Sequence, residues 1–571
     1  MPATSTNSQQ LSRCYGLQRH VVLQAPFRPA FRQISFLKEL RLDKSSTPKT
    51  SKTSAMTKAG IALAVGTFSV ISTYSLFNLI PISTADKSIL ENAQDISPRF
   101  ASIRQMNKAI DEIRHELSDT EDIISTEDED LKAHGFSEWS SVNIDVLPVA
   151  VAYPRSTDQV STMARICHKY KVPIIPYSGG SSLEGHTAAP FGGISIDFAF
   201  MDKILSFREA DMNVTVQPGI TWTDLNHELT KREGNYFFLI DPAPSAKIGG
   251  MIATNCSGTN AVRYGTVRDW VINLTVVLAD GSVVKTRRRP RKCSAGYNLN
   301  GLIVGSEGTL AIVTEATLKL AAFPSYFSVA VIPFNSLKEA VSAAAAVIRK
   351  GVPFAALELM DEEQMRIVNE GGATRPRVWD ETPTLFFKFS GTEGTVGDNI
   401  KTVKSIVTPH KSRAFNFATS KEEQESLWSA RKESLYSLLA LRKEGQFLWN
   451  TDVAVPLGAL AELIEEIKAE AKKLGLQVCV KGHIGDGNFH ENITYTPSNP
   501  EEAANTEVAV KNMVKRALEK DGTCTGEHGI GYGKKSALAS EVGGDTLLLM
   551  KLLKKSLDPH WILNPGKIFD P

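Results

Sequence analysis

From Ile144 onward, apolar residues come in short continuous runs set between amphipathic and glycine-rich stretches, the pattern of buried strands alternating with helices and loops. VLPVAVAYP predicts the first strand. Ser156 to Tyr170 predicts an amphipathic helix with Val160, Met163, Ala164 and Cys167 on one side. VPIIP predicts a second strand, running into the glycine-rich Tyr177–Thr187. Further on, YFSVAVIPF and TLFFKFSG predict strands, with a helix from Ser336 to Lys350 that Gly351 closes. Ser420 to Glu423 fits the capping box S-x-x-E, and the helix behind it places Leu427, Arg431, Leu435 and Leu438 on one stripe. Another helix ends near Leu474. Val478-Cys479-Val480, then Gly485-Asp486-Gly487, then Phe489 predict a hairpin with a tight turn. No internal repeat is evident.

At 571 residues the chain is long enough for several domains, and its net charge of +1 names no bulk partner. The six cysteines lack C-x-x-C spacing, against a disulfide framework or a cysteine-ligated zinc.

Residues ahead of Ile144 read differently. The first 38 carry arginines, a lysine and no acid, the composition of a mitochondrial presequence. Residues 1–58 are read as presequence and basic linker. Residues 59–80 (Ala59 to Ile80) are uncharged, and a helix over them would be about 33 Å long, enough to span a bilayer. The basic approach to this transmembrane helix would stay in the matrix. The expected location is therefore the mitochondrial inner membrane, with the catalytic part in the intermembrane space. A cleaved sorting signal is the alternative. Residues 81–143 are read as a helical acidic segment.

The chemistry gathers in KGHIGDGNFHE, Lys481 to Glu491. A hairpin there brings His483 and His490 together as neighbouring ligands, and GEHG adds Glu527 and His528 on a glycine-rich backbone. Two imidazoles and a carboxylate suit catalytic Zn²⁺ or a similar divalent ion with an open position. Satisfied polar turn residues are the other reading, since H-x6-H is not H-E-x-x-H. Three glycine-rich stretches, YSGGSSLEGHT, IGGMIATNCSGTNAVRYG and VGSEGTLAIVTEATLKL, would let backbone wrap an extended dinucleotide. No G-x-G-x-x-G opens a helix, and GIGYGKKS misses the Walker spacing by one residue. Arg431 lies on an apolar stripe; it either snorkels or, if buried, meets an anion such as a substrate carboxylate.

PIIPYSGGSSLEGH, IGGMIATNCSGTNAVRYG and GSEGTLAIVTEATLKL together resemble the FAD-binding half of the vanillyl-alcohol oxidase-type flavoproteins. GHIGDGNFH, GEHGIG and LNPGKIFD resemble the C-terminal half of their D-2-hydroxy acid dehydrogenase branch. The resemblance implies an α+β fold, with a two-part FAD-binding domain of vanillyl-alcohol oxidase type over 144–322 and an α+β substrate (cap) domain with the metal site over 323–535. Residues 536–571 would return to the FAD domain.

It further implies non-covalent FAD, because Ser181 and Ser182 follow the two glycines where some relatives carry a flavin-linked histidine; His186 is read as structural. Pro176, Tyr177, Ser178, Gly179, Gly180, Ser181 and Ser182 would face the pyrophosphate. Gly249, Gly250, Thr254, Ser257 and Gly258 would line the isoalloxazine and ribityl region. Glu307, Gly308 and Ile312 would lie along the adenine side, with Asn564 also at the cofactor. The implied reaction is oxidation of D-lactate to pyruvate, with hydride passed to FAD and electrons to cytochrome c. His483, His490 and Glu527 would hold a divalent metal, zinc being the first choice. His528 would be the base, and Arg431 would hold the carboxylate.

D-2-hydroxyglutarate or another D-2-hydroxy acid is the alternative substrate. The 2-hydroxyglutarate relatives carry a lysine where Asn450 stands, and Lys443 faces solvent, so a pocket without a second cation, suited to a methyl group, is expected. From other classes, a zinc hydrolase and a non-catalytic flavin-binding scaffold compete. No nucleic-acid partner is expected. The basic run Lys285 to Lys292 is read as a solvated loop.

Overall fold

The computed structural model describes residues 97–232 and 235–571; the presequence and the apolar span Ala59 to Ile80 lie outside them. Among the described residues no helix is long and apolar enough to cross a membrane.

The acidic segment does not stand apart. Its helix Ile103–Glu116 buries Met106, Ala109, Ile110 and Ile113 against helix Thr157–Tyr170, and Ile124–Ser125 pairs with Val151 and Ala152. That strand edges a four-stranded sheet whose other members, Ala150–Ala152, Ile194–Asp197 and Ile174–Tyr177, are parallel. Helix Thr157–Tyr170 is the crossover that parallel strands require. Ser156 caps it, its hydroxyl accepting the Gln159 N–H, and Val160, Met163, Ala164 and Cys167 are buried as the pattern predicts. A second, five-stranded antiparallel sheet runs in the order 204–208, 213–216, 312–319, 271–277 and 283–285.

The C-terminal half is built on one antiparallel sheet, in the order 416–417, 326–333, 384–391, 356–360, 477–482, 488–495 and 447–450. Helices cover both faces, so its strands read as continuous apolar runs. Phe387, Phe389, Leu357, Leu359 and Val480 face helices Leu337–Arg349, Glu393–Val407 and Leu460–Lys473. A fully buried phenylalanine or leucine contributes roughly 1.5–3 kcal/mol.

Strand parity then sends every second residue to the opposite face, toward helix Lys421–Leu441. Ladder pairing matches Glu358 with Phe386, Ala356 with Lys388, Met360 with Lys481, Lys481 with His490, and Asn450 with Asn492. Glu358, Lys388, Lys481, His490 and Asn450 therefore share one face. Glu358 and Asn450 are the lone polar residues of their strands, and Lys388 and Lys481 the lone charges of theirs. The helix opposite them carries Arg431. Ser420 caps it through the Glu423 N–H, but the Glu423 carboxylate bonds Thr419 instead, so the box closes one residue early.

The C-terminal segment runs back along the parallel sheet. Leu563 bridges Ile174, and the Asn564 N–H donates to the Ile174 carbonyl. Buried Lys554 donates to the carbonyls of Thr309 and Leu563, which fixes that return.

Candidate active site

One cavity of about 930 Å³ runs from the first glycine-rich loop to the histidine hairpin. At its first end the chain leaves strand Ile174–Tyr177 into Ser178–Ser182. Gly180 sits there at φ +61°, and a Cβ would stand 2.2 Å from the Tyr177 hydroxyl. The second glycine-rich stretch becomes helix Ile248–Thr254, where the sequence reading has only a small-residue run. At Gly250 the nearest atom to a Cβ would be Ser178 Cβ at 3.9 Å, so a side chain would fill the cavity. That cradle fits an extended dinucleotide.

Every predicted cofactor residue lines this cavity except Ser257. Its hydroxyl donates to Glu527 Oε2 at 2.6 Å, so Ser257 belongs to the carboxylate cluster. Glu307 borders the cavity, but its carboxylate accepts the N–H groups of Ile530 and Gly531, and its backbone carbonyl accepts the Asn564 amide. It ties the C-terminal loop to the cofactor loops. His186 lies 3.1 Å from that carboxylate and lines the cavity as well.

At the far end the hairpin forms as expected, 477–482 with 488–495 around a one-turn 3₁₀ segment at 484–486. His483 Nε2 and His490 Nε2 each lie 3.3 Å from the same oxygen, Glu527 Oε1. The other ring nitrogens set the tautomers. His483 Nδ1–H donates to Glu358 Oε1 at 2.9 Å, and His490 Nδ1–H donates to the Thr451 carbonyl at 2.9 Å. Both Nε2 lone pairs are thereby aimed at one point, the second-sphere arrangement of metal-binding histidines. With Ser257 holding Oε2, the donor set N, N, O fits a divalent ion. Asp452, His490 and His528 form a second candidate triple. Asp452 is saturated, however, by Asn488, Thr525, and the N–H groups of Glu527 and His528. It holds the loop in place.

His528 stacks on His490 with ring centroids 5.0 Å apart, and its Nδ1 lies 3.9 Å from Glu184 Oε1. Burial draws its pKa down, but the charges of Asp452 and Glu184 outweigh this and leave it above the ordinary histidine value. Arg431 is half-buried and meets an anion within the protein: its Nε donates to Glu358 Oε2 at 2.8 Å, and its Nη2 lies 2.8 Å from the same oxygen.

Glu358, Asp452, Glu184 and Lys481 carry roles that the sequence reading left unassigned. For Glu358 and Lys481 the signal is legible, a lone charge in an apolar strand, since such a group needs a partner or a cavity.

The expectation of a pocket without a second cation is overturned. Asn450 lines the cavity, but so do Lys388 and Lys481. Lys388 Nζ lies 4.1 Å from the Trp428 ring centroid. Burial, with Arg431 nearby, drives the Lys481 amine down to about 7. Strand parity put both amines here, which linear spacing from Asn450 cannot reveal.

Glu358, Glu184, Glu307 and Asp452 all lie below the ordinary carboxylate range. Burial raises each, but His483 and Arg431, then Lys534 and His528, then His186 and two backbone N–H groups, then His528 and Lys534, outweigh it. A depressed folded pKa contributes stability above the unfolded value of about 4 and loses it as pH falls through the folded value. The midpoint of thermal unfolding is expected to drop steeply below about pH 4, and Glu358→Gln should flatten that drop. An unchanged midpoint from pH 5 to 3 would show that these pairs contribute nothing.

Family models match the chain in two places: the FAD binding domain over residues 148–287, and the C-terminal domain of FAD linked oxidases over residues 323–568. The chain is 44% identical over 496 residues to the mitochondrial D-lactate dehydrogenase (cytochrome) of Kluyveromyces lactis, covering 85% of each. It is 45% identical over 451 residues to the Arabidopsis thaliana protein of that name, covering 79% of this chain and 78% of that one. Against the D-2-hydroxyglutarate dehydrogenase of Xanthomonas citri identity is 30%, covering 78% and 94%. Among solved structures, the 4-ethylphenol oxidase of Gulosibacter chungangensis shares the fold, with TM-score 0.69 at 18% identity over 83% of this chain and 99% of that one.

Proposed function

Since the chain belongs to the FAD-linked oxidases of vanillyl-alcohol oxidase type, in the branch of the FAD-dependent mitochondrial D-lactate dehydrogenases (cytochrome), we propose that it oxidises D-lactate to pyruvate at the histidine end of its cavity. The observation that carries this reading is the convergence of His483 and His490 on one Glu527 oxygen, in the same cavity as the glycine-rich cradle.

FAD, when bound along the glycine-rich stretches, supplies a two-electron acceptor for the C2 hydride and can pass electrons on singly. A divalent ion held by His483, His490 and Glu527 would supply Lewis acidity, which lowers the pKa of a hydroxyl. The rest falls to side chains. His528 takes the proton of the substrate hydroxyl. Arg431 keeps donors on the side away from Glu358 and orients the carboxylate. Glu358 bridges Arg431 and His483, so one buried acid positions the carboxylate anchor and the metal ligand together.

Three further parts of the reading rest, in turn, on the word cytochrome in the relatives' names, on the donor set of two imidazoles and a carboxylate, and on the N-terminal sequence. The electron acceptor is cytochrome c, the metal is zinc, and the protein sits in the mitochondrial inner membrane with its catalytic part in the intermembrane space. The support for the membrane is the span Ala59 to Ile80 with its basic flank.

The test is the visible spectrum of the purified protein before and after anaerobic D-lactate. Flavin bands should be present and should bleach. A protein without flavin bands would favour a zinc hydrolase, and bands that D-lactate leaves intact a flavin-binding scaffold.

A further inference from the structure

The reaction assigned above accounts for Arg431, His528 and the three metal-binding groups, but not for Lys481. This side chain is 6% exposed and lines the cavity. Among the described residues no carboxylate lies within ion-pair distance of its amine. Its one hydrogen-bonding neighbour is Ser434 Oγ, at a long 3.5 Å. That hydroxyl already donates to the Arg431 carbonyl. Burying an amine with its donors unused is costly, so such a group either finds a partner or faces a ligand.

Lys481 is not alone. Asn450 Oδ1 and Ser437 Oγ are buried without a hydrogen-bond partner, as are both polar atoms of the Asn492 side chain. Lys481, Ser434 and Asn450 line the cavity itself. By register, Lys481 lies directly across the ladder from His490, and Asn450 across from Asn492 on the same face. Directly opposed residues hold their Cβ atoms about 5 Å apart. The unsatisfied polar trough therefore begins one residue from the metal-binding histidine. That is within reach of a substituent on the carbon next to the reacting one.

Resting on the D-2-hydroxy acid reading above, we propose that Lys481 forms the head of a polar subsite beyond the methyl position of D-lactate, which among longer D-2-hydroxy acids favours those whose side chain carries a hydrogen-bonding oxygen. The amine donates in either protonation state, so the subsite takes a hydroxyl or a carboxylate oxygen. Lys481 is a specificity-determining residue; it holds the side chain, while Arg431 holds the reacting carboxylate.

The test compares D-glycerate with D-2-hydroxybutyrate, which has the same number of heavy atoms and ends in methyl where D-glycerate ends in hydroxyl. In the flavin-loaded full chain, kcat/KM for D-glycerate should exceed that for D-2-hydroxybutyrate by about tenfold or more. In K481M the ratio should collapse to within about twofold, because the donors are gone and the bulk is kept. K481Q, which retains a donor, should hold an intermediate ratio. Released flavin is measured in each variant to show that it is loaded.

A third acid, D-malate, separates the two oxygen chemistries: preference for it over D-glycerate marks a carboxylate subsite, and the reverse marks a hydroxyl subsite. Equal efficiency on D-glycerate and D-2-hydroxybutyrate in the unaltered protein overturns the proposal without any variant. So does a K481M protein that loses both activities in equal proportion, which would make Lys481 an anchor of the reacting carboxylate. Failure of D-lactate to bleach the flavin would instead overturn the reaction on which the proposal rests.

Discussion

Replacement of His490 by alanine is expected to lower kcat/KM for D-lactate by at least about 10³-fold, with loss of about one equivalent of divalent metal and retention of flavin. The magnitude follows from what a bound cation contributes, several kcal/mol of charge stabilisation at roughly 1.4 kcal/mol per tenfold in rate. The geometry makes His490 a clean choice. Its Nδ1–H is committed to the Thr451 carbonyl, and its Nε2 is one of two imidazole nitrogens 3.3 Å from Glu527 Oε1. The cofactor stretches lie on other elements, so flavin content and metal content separate. Metal analysis and released flavin, read beside the kinetics, check this. Full activity in a chelated, metal-free protein would remove the metal from the reaction.

His528→Ala is expected to cut turnover by roughly 10²–10⁴, the usual contribution of a general base, with metal and flavin both retained. His528 sits outside the Glu527 cluster. Its backbone N–H is fixed by Asp452, its ring stacks on His490, and its Nδ1 faces Glu184 across 3.9 Å. A charge that holds its pKa above the ordinary value makes it a better proton acceptor once deprotonated. If metal leaves together with activity, His528 is a ligand and the base lies elsewhere.

The hairpin was legible in the sequence because a Gly-Asp-Gly turn between apolar runs leaves few other pairings, and the observed register confirms it. The helix carrying Arg431 was legible from its stripe, although the partner assigned to the arginine was not. Glu358 lies 73 residues away from it and reaches it only because two strands and a helix are stacked. The Ser257 partner within the protein was hidden for the same reason. The serine's place in a glycine-rich stretch suggests the cofactor, but its hydroxyl crosses 270 residues of sequence to Glu527. The acidic segment read as a separate helical piece because charge dominates its composition. A two-residue strand and four buried apolar side chains were enough to join it to the parallel sheet.

The sequence by itself determined the parts that depend on local backbone and on residue type. These are the glycine-rich loops, the alternation of buried strands and helices, the histidine and carboxylate residue types and the hairpin that pairs two of the histidines. Those properties act over a few residues, so they survive in a linear reading. The tertiary structure alone decided which charges face each other. In strands buried on both sides, one position in two points to the cavity, and a charged residue reads the same whichever way it points. Only the register of the assembled sheet turns Glu358, Lys388, Lys481, His490 and Asn450 toward the helix that carries Arg431. Burial then fixes their chemistry, because a desolvated charge must find an opposite charge or a ligand.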